Sequence, residues 1–84
     1  MPSDATKPFD WMPHATRRAA QRRIEMEAAE AVYTRFDTER PGQKPGTRML
    51  IGTVDGQRIK IVVDDRGPSV ILITVADMEV QDED

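Results

Sequence analysis

His14, Arg18 and Arg22 are spaced four residues apart, so on an α-helix they form one ridge of successive neighbours. An imidazole beside two guanidiniums can move a proton next to a phosphate while the arginines stabilise the charge that develops on it. The competing reading of the same residues is a solvated, arginine-rich helix surface. Other chemistries are closed off by composition. The chain has no cysteine, which excludes a disulfide framework, an iron–sulfur cluster and a thiolate zinc site. His14 is its single histidine, so an imidazole-rich metal site cannot be built within one chain, and neither a metal nor another cofactor is expected.

The ridge needs a helix to carry it. Pro13 suits a first helical turn, where its missing N–H would be unsatisfied anyway. Helical character extends from about His14 to Phe36, with Ala28, Val32, Tyr33 and Phe36 at the spacing of one buried stripe. Around Arg22-Arg23-Ile24-Glu25 the pattern allows either one continuous helix, which propensity favours, or a short break between two. Residues 37–46 read as a loop, with Pro41-Gly42 and Pro45-Gly46 as turn signals.

Strand character follows. Arg48 to Val54 and Gln57 to Val63 flank Asp55-Gly56, the preferred pair for a two-residue type I′ hairpin. A third strand is predicted from Val70 to Ala76. Pairing Val54 with Gln57 puts Leu50, Val54, Ile59, Ile61 and Val63 on one side of the sheet, against the helix stripe. Met49, Ile51, Thr53, Arg58, Lys60 and Val62 then lie on the other. From the third strand, Ile71, Ile73 and Val75 should join the helix side, leaving Leu72 and Thr74 beside Arg58 and Lys60. The second face is thus half apolar and half basic, and Arg58 and Lys60 are its candidate substrate-binding cations.

In order along the chain, His-x-x-x-Arg-x-x-x-Arg-x-Ile at His14, Arg18, Arg22 and Ile24, then Ile61-Val62-Val63-Asp64, then Ile73-Thr74-Val75 resemble the four-two-five-eight family of bacterial domains of unknown function. The resemblance covers about Pro13 to Ala76. Arg23 stands where the family usually has glycine, and Glu25 where it usually has a helix-capping serine. The resemblance implies a RelE-like fold, with N-terminal helices packed on a small antiparallel sheet, and kinship with metal-independent ribonuclease toxins. It further implies attack of a ribose 2′-hydroxyl on the adjacent phosphate. His14 would be the general base or acid, Arg18 and Arg22 would stabilise the phosphorane, and Thr74 or Lys60 would bind a phosphate oxygen.

Eighty-four residues leave room for one domain. The expected organisation is a flexible arm over 1–12, a single α+β domain over 13–76 with about three strands, and an acidic tail over 77–84. Phe9 and Trp11 are expected to pin the end of the arm. The net charge of −3 is unevenly spread: residues 14–60 carry ten Lys/Arg against six Asp/Glu, and residues 61–84 carry seven acids and only Arg66. The basic block keeps RNA open as a partner despite a pI near 5.1. A cognate antitoxin or another protein is also open as a partner, and the alternative function is a non-enzymatic interaction domain, such as an accessory or immunity-like protein of a mobile element, that binds another protein through the sheet face. The start of the chain lacks the basic and apolar regions of a signal peptide, and no apolar stretch is long enough to span a bilayer. A cytoplasmic protein without membrane attachment is therefore expected, with its oligomeric state open.

Overall fold

Asp55 (φ 53°) and Gly56 (φ 81°) both take positive φ, as a type I′ hairpin requires. They join two long strands in the expected register, with Val54 opposite Gln57 and Leu50 opposite Ile61. A computed structural model describes residues 7–78. Its elements, in chain order, are β1 (Phe9–Trp11), α1 (Pro13–Gln21), α2 (Met26–Arg35), β2 (Thr38–Pro41), β3 (Arg48–Val54), β4 (Gln57–Asp64) and β5 (Val70–Asp77). The fold is α+β: one sheet in the order β1-β5-β4-β3-β2 and two helices on one of its faces. No helix among the described residues is long and apolar enough to cross a membrane.

The helical region is a pair, not a single rod. Arg23 sits at φ 57°, the Ile24 N–H donates to the Ala19 carbonyl at 2.9 Å, and the Arg23 N–H donates to that of Ala20 at 3.3 Å. These are the two hydrogen bonds of a Schellman cap, and Ile24 is buried beside it. Arg23 thus holds the left-handed position that a glycine would take more easily. Beyond the break, Glu25 is the N-cap of α2, and its side chain makes no capping bond.

The sheet has five strands, not about three, and it is mixed. Residues 9–11, expected within a flexible arm, pair in parallel with β5, Phe9 opposite Val70 and Trp11 opposite Leu72. A three-residue strand between prolines is too short to show a period. It exists because β5 offers an unpaired edge: the Val70 N–H donates to Pro8 O and the Met12 N–H to Leu72 O. Phe9 and Trp11 do pin this segment, packing against the core. Phe9 meets Tyr33 edge-on with ring centroids 5.7 Å apart, and the Trp11 Nε1–H donates to Glu30 at 2.8 Å. Part of the expected loop 37–46 is likewise a strand. β2 pairs with β3, and its charges and closing Pro41 fit an edge strand that faces no further neighbour.

On the helix side, Leu50, Val54, Ile59, Ile61, Val63, Val70, Leu72 and Val75 join Ala15, Ala19, Ile24, Ala29 and Val32 in one core. The assignment on β3 and β4 is as expected. On β5 it differs: Leu72 points inward, while Ile71 and Ile73 stay outside that core. The cause is a β-bulge. Val62 pairs with Thr74 but Val63 pairs with Leu72, so Ile73 is an extra residue and the alternation slips by one along the strand. Val75, beyond the bulge, faces inward as expected. At β3, Gly52 lets the end of α2 come close: a Cβ there would stand 3.1 Å from the Arg35 carbonyl oxygen and 3.2 Å from the Phe36 Cα.

Candidate functional site on the open sheet face

Both helices lie on one face of the sheet, so the other is uncovered among the described residues. The cross-strand registers place Met49, Ile51, Thr53, Arg58, Lys60, Val62, Thr74 and Ala76 on it. Near the β2–β3 loop this face forms a concavity of about 270 Å³. Met49, Val62 and Ile73 supply its apolar part, Lys60 and Thr74 stand beside them, and Gln43, Lys44 and Thr47 of the loop form the remaining wall. The bulge matters here, because it brings the adjacent residues Ile73 and Thr74 into the same concavity.

The loop is held in place by its own backbone. The Gly42 N–H donates to Thr47 O at 2.9 Å, the Thr47 N–H to Lys44 O at 3.2 Å, and the Thr47 hydroxyl to that same Lys44 carbonyl at 2.6 Å. Gly46 has φ 84° and lies against the Arg66 guanidinium, which any Cβ would strike. Arg66 in turn is fixed by Asp64 at 2.8 Å, whose carboxyl is lowered to about 2, chiefly by the Arg66 side-chain hydrogen bonds.

The cations of this face differ in engagement. Arg58 is committed: its two terminal nitrogens donate to the two carboxylate oxygens of Asp37 at 2.6 and 2.9 Å and also to Thr53 at 3.0 Å. Asp37 is consequently lowered to about 2, first by Arg58 and then by the Thr38 hydrogen bond. Lys44 and Lys60 make no ion pair among the described residues. Arg40, opposite Met49 on β2, makes none either. The concavity therefore offers two ammonium groups, the Thr74 hydroxyl and an amide around an apolar floor, a set suited to holding an anionic group attached to an apolar body.

Of the residues singled out in the sequence, Lys60 and Thr74 share this concavity. None of His14, Arg18 and Arg22 lines it. His14 and Arg18 lie on α1 and Arg22 is its C-cap; the helix packs through Ala15 and Ala19 into the core on the opposite face of the sheet. There His14 is exposed, Arg18 is half-buried with its Nε shielded and without a partner, and Arg22 pairs with Asp77 at 3.4 Å. Arg58 is drawn away by Asp37. Sequence reasoning missed Gln43, Lys44 and Thr47, whose only local signal is the pair of Pro-Gly turns flanking Lys44. No three His, Asp or Glu side chains among the described residues come close enough to hold a metal ion.

A second polar cluster lies on the helix side. Asp65 accepts from the Tyr33 hydroxyl at 2.7 Å and from Arg48 at 2.8 Å, and Arg48 also donates to Glu39 at 2.7 Å. The Lys7 ammonium donates to the Asp65 carbonyl at 2.5 Å. The Tyr33 hydrogen bond holds the Asp65 carboxyl below its ordinary value, with Arg48 adding to it against burial. Burial, followed by Asp65, raises the Tyr33 phenol. Every group here is partnered, so the cluster acts as a clamp joining α2, β2, β3, the β4–β5 turn and the segment before β1. Comparison with protein-family models, curated proteins and solved structures gave no match.

Proposed function

We propose that the chain is an RNA-binding domain of RelE-like toxin type, engaging the phosphate backbone through the concavity on its open sheet face. The observation that carries this reading is the pair Lys44 and Lys60, without carboxylate partners among the described residues and set beside the hydroxyl of Thr74. Lysine ammonium groups bind phosphate as point charges, and hydroxyls add directed donors. Two helices packed on one sheet face fit the RelE-like arrangement of N-terminal helices on a small sheet, while the five strands and the parallel β1–β5 pair depart from it.

The endoribonuclease form of the reading assigns proton transfer to His14, with Arg18 and Arg22 stabilising the phosphorane and Thr74 or Lys60 holding a phosphate oxygen. The wall of the concavity contains neither imidazole nor carboxylate, so binding there is better supported than cleavage there. A titration of a labelled single-stranded RNA at several salt concentrations tests the proposal. Affinity is expected to fall steeply with salt, and Lys44→Glu or Lys60→Glu is expected to weaken it and reduce the logarithmic slope by about 0.7 each. If His14 is the general acid or base, His14→Ala should lower any cleavage rate by about 10² to 10⁴ with the fold intact.

A flat salt response would remove RNA and leave the second reading, a non-enzymatic protein-interaction domain such as an accessory or immunity-like protein of a mobile element. That reading is favoured by a different feature of the same face: Met49, Val62 and Ile73, each only partly buried, form an apolar area that neither helix covers.

A further inference from the structure

We propose that the concavity takes a single nucleotide whose phosphate is a monoester, the phosphorylated end of an RNA strand, in preference to a phosphodiester within the strand. The inference rests on the RNA reading and narrows it from a backbone to an end. Charge is the first reason. The wall of the concavity carries Lys44 and Lys60 and no Asp or Glu, and neither lysine makes an ion pair among the described residues. A phosphodiester brings one negative charge, whereas a phosphate monoester brings about −1.5 to −2 at neutral pH and three strong acceptor oxygens. Two ammonium groups and the Thr74 hydroxyl match the second inventory. A single charge would leave one ammonium without a counterpart.

The surroundings decide against a longer track. A site that follows a single strand combines a continuous run of cations with aromatic side chains on which successive bases stack. No aromatic residue lines the concavity, and of the nearby cations Arg58 is held by Asp37 and Arg66 by Asp64. Arg40, opposite Met49 on the edge strand β2, makes no ion pair among the described residues. It provides for one further phosphate where a strand would leave the sheet. Elsewhere the concavity is closed by the β2–β3 loop, in which the Gly42 N–H is held by Thr47 O. Its volume of about 270 Å³ lies just below the range of about 300 to 1,000 Å³ usual for small-molecule pockets, which limits the occupant to one nucleotide unit. Met49, Val62 and Ile73 then give the ribose and base an aliphatic surface to lie on.

The test measures binding of a single-stranded RNA of about eight nucleotides to the full chain in matched forms. These carry a phosphate monoester at the 5′ end, one at the 3′ end, hydroxyls at both ends, or either terminal phosphate blocked as its methyl ester, which returns it to a diester. One of the two monoester forms is expected to bind on the order of tenfold more tightly than the hydroxyl and methyl-ester forms. Lys44→Gln and Lys60→Gln should each remove most of that preference, while Arg40→Gln should weaken all forms alike. Thermal melts check that the variants are folded. In a parallel titration, adenosine 5′-monophosphate or 3′-monophosphate should shift the amide NMR signals of Lys44, Lys60, Val62 and Thr74 at concentrations where adenosine and inorganic phosphate do not.

Equal affinity for every form of the RNA overturns the proposal, and a steep salt dependence in that same series would leave the RNA reading standing. A monoester preference that survives both lysine substitutions also overturns it, because the terminal phosphate would then sit elsewhere. So does inorganic phosphate acting as well as either adenosine monophosphate, since the apolar floor would have no part. If an adenosine monophosphate binds as expected but no RNA does, the pocket stands with a free mononucleotide as its ligand and the RNA reading fails.

Discussion

Arg23 at φ 57° is a residue whose backbone and side chain have opposite interests. The Schellman cap needs the left-handed conformation, and a side chain with a Cβ resists it. Arg23→Gly is therefore expected to stabilise the protein by about 1 kcal/mol, raising Tm by several degrees in a thermal melt. A lower Tm would mean that the Arg23 side chain contributes more than its strain removes. Asp65 presents the reverse case, because its carboxylate serves Tyr33 and Arg48 at once. Its folded-state pKa lies below the ordinary 3.8, so the unfolded chain binds the proton more readily. The stabilisation is then fully present above about pH 4 and is lost as pH falls through the lower folded value. Denaturant unfolding across pH should show a drop in stability below that point, and Asp65→Asn should reduce the Asp65 part of it while lowering stability at neutral pH by about 1 to 3 kcal/mol. An unchanged pH profile in the variant would show that the clamp does not govern acid sensitivity.

At the scale of elements, two glycines serve for different reasons and can be told apart. Gly56 has positive φ and open space around it, whereas at Gly52 the obstacle is the Arg35 carbonyl and the Phe36 backbone. Gly56→Val is expected to destabilise by about 1 kcal/mol or more through backbone strain, and Gly56→Asn should be milder because asparagine tolerates left-handed φ. At Gly52 both valine and asparagine should destabilise by about 1 to 3 kcal/mol, because either pushes the end of α2 off the sheet. Equal responses to asparagine at the two sites, measured by chemical denaturation, would contradict this division. The hairpin around Asp55-Gly56 was legible in the sequence because two residues specify that turn. β1 and β2 were not. Phe9-Asp10-Trp11 and Thr38-Glu39-Arg40-Pro41 become strands because β5 and β3 present unpaired backbone groups to them, a requirement written in their neighbours.

Across the whole molecule, each face carries both paired and unpaired charge. On the helix side, Arg48 pairs with Glu39 and Asp65 and Arg22 with Asp77, while Arg17, Arg18, Arg23 and Arg35 make no ion pair among the described residues. On the open side, Arg58 is held by Asp37, and Lys44 and Lys60 make no ion pair among the described residues beside an apolar floor. The salt dependence expected for RNA binding belongs to this scale, since it counts phosphates neutralised by a surface and not by any single contact. The site residues chosen from the sequence were divided between these faces: Lys60 and Thr74 on one, His14, Arg18 and Arg22 on the other. Helical spacing could place His14, Arg18 and Arg22 on one ridge, but it carried no information about which side of the sheet that ridge would occupy.

What the sequence determined by itself was set by short-range physics. The type I′ turn and the register that follows from it, the inward faces of β3 and β4, and the alanine-rich helices all follow from local conformational preference and from side-chain period. Tertiary structure alone decided the rest. The bulge at Ile73 depends on fitting β5 to β4 while both bury their apolar residues, and a slip of one residue there reverses which side chains face out. The concavity depends on a loop at one end of β3 closing beside residues from β4 and β5. Lys44 and Lys60 are sixteen positions apart in the chain, and only pairing of the strands brings them to one wall.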